Sequence, residues 1–512
     1  MNHSPYGAGA DDDARVPDAA IARLDKTLAL KDSWLPLWRE CYRYAMPMRA
    51  GAVGGWGNGA EQIFDATAAD AADQLAASML AELTPPWARW FGFVPGPEAE
   101  GDDAAGLAKE LERAAVVMQM HFDRSNFAVE VHQCYLDLVV AGSNIRHAVP
   151  APVGEPSAFR FTAVPLAELA LREGASGRLD TVMRVWSATA EALSARFPDA
   201  CDCVPGLARL FLRDPDATAE IAEQVAPDGQ GGYEYLAFVR DGGWLLRRAR
   251  LAASPFICFR WLKAPGEAYG RSPVMKALPD IKTANKIVEL VLKNATIACT
   301  GIWQAEDDGV LNPANIRLVP GAIIPKAVGS RGLTPLEAPG KFDVSELMLK
   351  DLRARIGHAL LADRLGQVDS PALTATEVLE RSAAMARILG ATYGRLQSEL
   401  LTPLVVRGLE ILAARGEVPS FSLDGRRVAL QYRSPLARQQ SQADAGAAMR
   451  WLQAVASMGP EAQMTVDFAA AARWLAQSLC VPLEMVLTAG QTAAKIGQAV
   501  EAVASLEQAS QD

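Results

Sequence analysis

The chain has 512 residues, half of them hydrophobic, with 60 acidic and 50 basic side chains and a formal charge of −10. That length exceeds the roughly 250–300 residues at which single cores stop growing, so two or more cores are expected. No run of about 18 uncharged apolar residues occurs, which excludes a membrane-spanning helix, and the acid excess without a dense Lys/Arg run excludes a tight, counterion-releasing nucleic-acid binder. The first 20 residues, with Asp11, Asp12 and Asp13 and no apolar core, read as a disordered lead and not as a signal peptide. Residues 20–50 predict an aromatic-rich helical segment with Trp34, Leu35, Leu37, Trp38, Cys41, Tyr42 and Ala45 on or near one face, closed by Met46 and Pro47. The glycine-rich GAVGGWGNGA (51–60) reads as a plain loop: it lacks the Gly-Lys-Ser/Thr ending of a phosphate cradle and follows no evident strand.

In 63–93 a helix capped by Asp65 or Thr67 carries Ala68, Ala71, Ala72, Leu75, Met79 and Leu83, and Pro85-Pro86 ends it before Trp87, Trp90, Phe91 and Phe93. A helical pair follows over 103–143. Beyond Phe159 the pattern shifts to short alternating runs, RFTAVPL (160–166), LDTVMRVW (179–186), YEYLAFVR (233–240) and WLLRRARL (244–251), with ATAEALSARF (188–197) as an intervening helix. The fold class is therefore α+β and mostly helical.

From Pro279 the sequence predicts one uninterrupted helix to residue 300, with Pro279 in its first turn and Gly301 as its stop. Ile281, Ala284, Val288, Val291, Ala295 and Ala298 form an apolar stripe, and Lys282, Lys286, Glu289 and Lys293 a charged one. Ile287, Leu290 and Leu292 widen the apolar surface, so this helix requires more than one neighbour. The following 301–342 is short and punctuated, and IRLVPGAII (316–324) reads as two brief strands joined by a Pro-Gly turn. Asp343 to Glu346 then opens a second helix bearing Met348, Leu349, Leu352, Ile356, Ala359 and Leu360. Two antiparallel legs and a compact foot are the expected geometry. After the polar break DRLGQVDSP (363–371), a third long helix begins at Thr374, kinked at Pro403 and ended by Gly416. The Ala-rich tail from 434 predicts helices that assemble beside copies of themselves.

No Gly-x-x-x-x-Gly-Lys-Ser/Thr loop, Gly-x-Ser-x-Gly elbow or His-Glu-x-x-His pair is present. His121 and His132 read as solvated or core histidines, and Cys201-Asp202-Cys203 has no second pair to complete a metal site. Seven thinly spread cysteines suit a reducing compartment. The expectation is a protein without catalytic residues, cofactor or metal. A nuclease would require clustered carboxylates for metal ions, and none stand out. Lys286 with Glu289, and Glu289 with Lys293, are spaced to pair along a solvated helix face.

Six stretches, WLPLWRECYRYAMP (34–47), IFDATAADAADQLAASMLAELTPP (63–86), VPLAE (164–168), YGRSPVMKALPDIKTAN (269–285), ALTATEVLER (372–381) and YRSPLARQQ (432–440), together resemble the portal (head-to-tail connector) proteins of short-tailed bacteriophages, and they occur in that family's order. The resemblance implies a homododecameric ring around a channel for double-stranded DNA, at one capsid vertex of the virion after assembly in the host cytoplasm. It implies a lead (1–20), a wing (21–270), stem helices (271–301 and 343–362), a clip (302–342), a channel loop (363–375), a long wing helix with a return strand (376–432) and a helical crown (433–512). Lys282, Lys286, Lys293, Arg364 and Gln367 are then channel candidates, touching DNA weakly and without sequence preference. Glu306, Asp307, Asp308, Arg317, Lys326 and Arg331 are candidates for contact with the terminase motor and the tail adaptor proteins. Scaffold and major capsid proteins are further expected partners, and no membrane is involved. The alternative is an oligomeric helical tail or adaptor protein that does not enclose DNA.

Overall fold

The computed structural model describes residues 15–48, 63–99, 101–152, 154–175, 177–200, 204, 207–214, 216–300, 303–305, 333–335, 342–362, 390, 392–433, 435–459 and 465–479. In chain order its elements are α1 (Asp18–Asp32), α2 (Leu35–Ala45), α3 (Thr67–Leu83), β1 (Phe91–Pro95), α4 (Gly101–Arg124), α5 (Phe127–Ala141), β2 (Ser143–Pro150), β3 (Phe159–Val164), β4 (Leu169–Glu173), β5 (Leu179–Thr189), α6 (Ala190–Arg196) and α7 (Leu207–Arg213). They continue with β6 (Thr218–Pro227), β7 (Tyr233–Val239), β8 (Trp244–Leu251), β9 (Phe256–Arg260), α8 (Pro273–Thr300), β10 (Trp303–Ala305), β11 (Leu333–Pro335), α9 (Phe342–Ala359), α10 (Thr402–Ala414), β12 (Val428–Tyr432), α11 (Pro435–Ser457) and α12 (Phe468–Ser478).

The lead expected over 1–20 ends earlier than that: Val16 is buried, its N–H donates to the Gly243 carbonyl at 2.9 Å, and α1 begins at Asp18. The single helical segment expected over 20–50 is two helices. Pro36 lies in the first turn of α2, where its ring and missing N–H are tolerated, whereas a helix continuing from α1 would clash with it. Trp38, Cys41, Tyr42 and Ala45 then form the buried face of α2 at spacings of three and four. Helix α3 buries its predicted small-residue stripe, and those small side chains let it lie close against α5, which is buried on all sides from Cys134 to Ala141. Gly142 ends α5 with φ of 77°, and a Cβ there would stand 2.4 Å from the carbonyl oxygen of Gly270. Only glycine permits the two backbones to cross at that point.

The strands make a five-stranded antiparallel sheet in the order β4-β5-β6-β7-β8, a three-stranded sheet β3-β2-β9, and two pairs, β1 with β12 and β10 with β11. Strand β6 is absent from the sequence expectation, because TAEIAEQVAP is rich in helix formers; its place between β5 and β7 overrides that preference. The sheet explains why there are two cores. Alternating residues on one face, Ala170, Met183, Ala222 and Phe238, pack with Val16, Ala20 and Leu24 in a small cluster under α1. The opposite face, with Leu169, Leu171, Val182 and Ile221, joins a large continuous core that contains Trp38, Trp90, Phe122, Phe159 and Phe161.

Helix α8 begins six residues before the expected start at Pro279. Ser272 caps it: the Met275 N–H donates to Ser272 Oγ at 2.9 Å, and Ser272 Oγ donates to the Val140 carbonyl at 2.8 Å. Pro273 is thus the first-turn proline, and Pro279 lies inside a helix of 28 residues, about 40 Å long. Helix α9 returns antiparallel to it, with Arg355 near its end 3.0 Å from Asp280 near the start of α8. Between them β10 and β11 pair antiparallel, Trp303 opposite Pro335. The IRLVPGAII strands and the Gly301 stop lie outside the described residues.

The third long helix is described from residue 392. Where a kink at Pro403 was expected, the chain makes one wide π turn over Gln397–Leu401, with the Thr402 N–H donating to the Gln397 carbonyl five residues back. Pro403 has no N–H to offer Glu399 and its ring crowds that carbonyl, so the helix widens just ahead of it. Gly416, with φ of 73°, ends the helix as expected.

Candidate functional site

The paired helices α8 and α9 carry three of the candidate channel residues. Lys282 Nζ lies 2.7 Å from a carboxylate oxygen of Glu40 on α2. Lys286 and Lys293 share Glu289, at 2.9 and 2.6 Å. The hydrogen bond from Lys293, then that from Lys286, holds the Glu289 carboxyl below the usual carboxylate range. Two ammonium groups around one carboxylate leave a single net positive charge, presented on a solvated face as the spacing predicts. The tie from Lys282 to α2 is one that the sequence reading lacks. Arg364, Gln367, Glu306, Asp307, Asp308, Arg317, Lys326 and Arg331 lie outside the described residues, as do Cys201 and Cys203.

An adjoining face of α8 anchors the helix pair to the body. Asn285 Oδ1 accepts the backbone N–H groups of Phe64 at 2.7 Å and Asp65 at 3.2 Å, which fixes the entry of α3 against α8. The N-cap of α3 is Ala66, not Asp65 or Thr67, and Asp65 just before it holds the helix start instead: its Oδ1 accepts the Thr67 N–H at 2.9 Å, while Oδ2 accepts from Arg353 Nε of α9 at 2.9 Å. Asp65 therefore joins α3 to both legs, through its buried carboxylate to α9 and through its backbone N–H to α8. Burial raises its pKa, but the Thr67 and Arg353 hydrogen bonds outweigh that, and the net shift is downward.

A group with a lowered folded pKa contributes stability above its unfolded value, about 4, and loses it as pH falls through the folded pKa. Asp65→Asn is accordingly expected to melt at a lower temperature than the parent at pH 7, with the gap narrowing steadily from pH 5 to pH 3. Thermal melts across that range decide it, and a gap independent of pH would remove the Asp65 carboxylate from the account.

Where α8 starts, Trp34, Trp38 and Tyr269 form an aromatic cluster, with Trp38 edge-on to Tyr269 at 4.9 Å between centroids. The Leu171 N–H donates to the Tyr269 hydroxyl at 3.2 Å, which links this cluster to the five-stranded sheet. Cys41 beside it is buried, and desolvation pushes its thiol up to about 12, far from a nucleophile's range.

A second buried polar centre has no counterpart in the sequence reading. Arg260, at the end of β9, is 0% exposed and meets Glu399 of the π turn through Nη2 to Oε1 at 2.6 Å and Nε to Oε2 at 3.3 Å. The Arg260 N–H also donates to Glu399 Oε2, at 3.0 Å. The guanidinium further donates to the carbonyls of Ala268 and Gly177, each at 3.3 Å. Glu173, itself paired with Lys263, lies 3.9 Å from Nη1.

His121 is a core histidine: Nδ1 accepts the Ala158 N–H at 3.0 Å, and Nε2 lies 2.6 Å from Glu417 Oε2. Among the described residues, no group of His, Cys, Asp and Glu side chains is arranged to hold a metal ion, and no helix is long and apolar enough to cross a membrane.

The chain is 26% identical over 509 residues to a probable portal protein of Bordetella phage BPP-1, a match covering 92% of this chain and 89% of that protein. It is 23% identical over 327 residues to the portal protein of Escherichia phage T7, covering 62% of this chain and 60% of the T7 protein. Among solved structures, a chain of the virion of a native gene transfer agent particle shares 14% identity over 75% of this chain and 86% of its own length, at a TM-score of 0.34, a likeness too slight to fix the fold. The profile of the family described as bacteriophage head to tail connecting protein matches residues 18–486. With nearly the whole described fold inside that match, the chain belongs to the bacteriophage head-to-tail connecting protein family.

Proposed function

We propose that copies of this chain close into a dodecameric ring at one capsid vertex, forming the portal through which a separate terminase motor drives double-stranded DNA and to which the tail attaches. The observation that carries this reading is the family match over 18–486 on a chain whose long helix pair is left incomplete on its own. Leu290 and Leu292 of α8 and Leu347 and Met348 of α9 are each about half exposed or more. A heterologous, ring-closing interface supplies them with neighbours from the next copy. In this reading α8 and α9 are the stem, 302–342 the clip that meets motor and tail adaptor, 363–375 the loop narrowing the channel, the region before 270 and 376–432 the wing, and 433–512 the crown inside the capsid. The work is geometric and requires no catalytic residue. The exposed Lys286 and Lys293 ammonium groups face duplex DNA, and their shared carboxylate keeps each phosphate contact weak enough for sliding.

Mass measurement and negative-stain imaging of the purified protein test the architecture. The expected particle is a ring with a hole wide enough for duplex DNA, formed alone or with scaffold and coat proteins; a monomer under both conditions overturns the proposal. The triple variant Lys282→Ala, Lys286→Ala, Lys293→Ala is expected to form rings but to package and retain less DNA. Unchanged packaging in such rings would remove the lysines from the channel while leaving the ring intact.

A further inference from the structure

Helices α11 and α12 pack against each other, and the connection between them is short enough to make them antiparallel neighbours. Yet the pair buries very little. Among the described side chains of α11 only Ala445 and Val455 are buried, and among those of α12 none is. About a third of a turn round from Ala445 and Val455, α11 carries a second apolar stripe of Ala447, Trp451 and Ala454, continued by Met458 just past its end. The spacing of four, three and four is that of a seam between helices. Trp451 is 54% exposed and Met458 73%. Helix α12 carries a stripe of its own, Phe468, Ala472 and Ala476, continued by Leu479, with Phe468 45% and Leu479 43% exposed. Neither stripe holds a charged residue.

We infer that the α11 stripe of one copy seats on the α12 stripe of the next, so that these hairpins form a continuous belt around the ring. The occupant is a second copy because the two stripes fit each other. Counted outward from the turn, Met458 and Phe468 stand at one level, then Ala454 and Ala472, then Trp451 and Ala476, then Ala447 and Leu479. Hairpins standing along a ring axis keep these levels aligned from copy to copy. The alanine pair lets the two backbones approach, the Trp451 indole lies over the small Ala476, and Leu479 lies over the small Ala447.

Because the stripes lie on different helices, the contact is heterologous. It therefore passes from copy to copy, where an isologous contact would stop at two. A seam of four residues a side is far smaller than the roughly 20–30 a side of a stable complex, so the hairpins meet only where the rest of the ring already holds neighbours side by side. The inference rests on the ring proposed above and names one of its contacts.

Cysteine cross-linking in assembled rings tests it. The variant Ala454→Cys with Ala472→Cys, oxidised with copper phenanthroline, is expected to give a ladder of covalent multimers beyond the dimer, above the background that the parent's native cysteines produce. Each single variant is expected to add nothing to that background. The same holds for Gln453→Cys with Ala472→Cys, since Gln453 is exposed on a different face of α11. Rings that image normally but give no ladder overturn this inference and leave the ring standing. A dimer from Ala454→Cys alone overturns it as well, as does a link between 454 and 472 within one chain. A chain that stays monomeric even with scaffold and coat proteins overturns the belt and the ring together.

Discussion

Arg260→Ala is expected to destabilise the fold by ~3 kcal/mol, because it takes from the interior Glu399 carboxylate its hydrogen-bonded cation and leaves only Arg395, at 3.9 Å. Glu399 is only 13% exposed and accepts from Arg260 through both of its oxygens, and the carbonyls of Ala268 and Gly177 lose a donor in the same step. The comparison that separates an orphaned charge from a lost contact is the double variant Arg260→Met with Glu399→Leu. It removes both charges and keeps most of the volume, so chemical denaturation is expected to show it nearer the parent than Arg260→Ala. If the double variant is as damaged as the single one, the role of Arg260 is packing and not charge compensation. The location matters for the assembly, since Glu399 sits in the π turn ahead of α10, and Arg260 is what fastens that turn to β9.

Trp38→Ala is expected to cost about as much, ~3–5 kcal/mol, for the cavity left by a fully buried indole. Trp38→Phe is expected to cost less, because the ring that remains leaves a smaller cavity. A second reason for the gap is local. The indole Nε1–H is buried with no acceptor among the described residues, so phenylalanine gives up area but also removes an unsatisfied donor. It also keeps an aromatic edge against Tyr269. Unfolding midpoints of the two variants provide the check; equal losses would mean that Nε1–H is satisfied in solution. Because Trp38 and Tyr269 sit where α8 leaves the body, the alanine variant is also expected to loosen the helix pair, seen as faster proteolysis.

Much of the local structure was legible because its causes are local. The stripe on α3 is a run of small residues at helical spacing, β5, β7 and β8 are alternating runs between turns, and Gly416 stops a helix wherever it occurs. The resemblance to portal proteins rested on six short stretches in order, and the family match bears that out. The misreadings came where two local signals competed. Ser272-Pro273 and Pro279 are both acceptable helix starts, and the choice fell to Ser272 because its hydroxyl also reaches Val140 on α5. In β6, helix-forming residues were overruled by the neighbouring strands.

By itself, then, the sequence determined most of the helices and the strands β5, β7 and β8, that α8 has too much apolar surface for one neighbour, and that Glu289 pairs with Lys286 and Lys293 a turn away on either side. Only the tertiary structure decided the ties that hold the legs to the body. Arg353 meets Asp65 from 288 residues away, Arg260 meets Glu399 from 139, and Lys282 turns to Glu40 on α2. The reason is physical: periodicity and capping act within a few residues, whereas a buried charge is satisfied by whichever partner the packing of distant elements brings within about 3 Å.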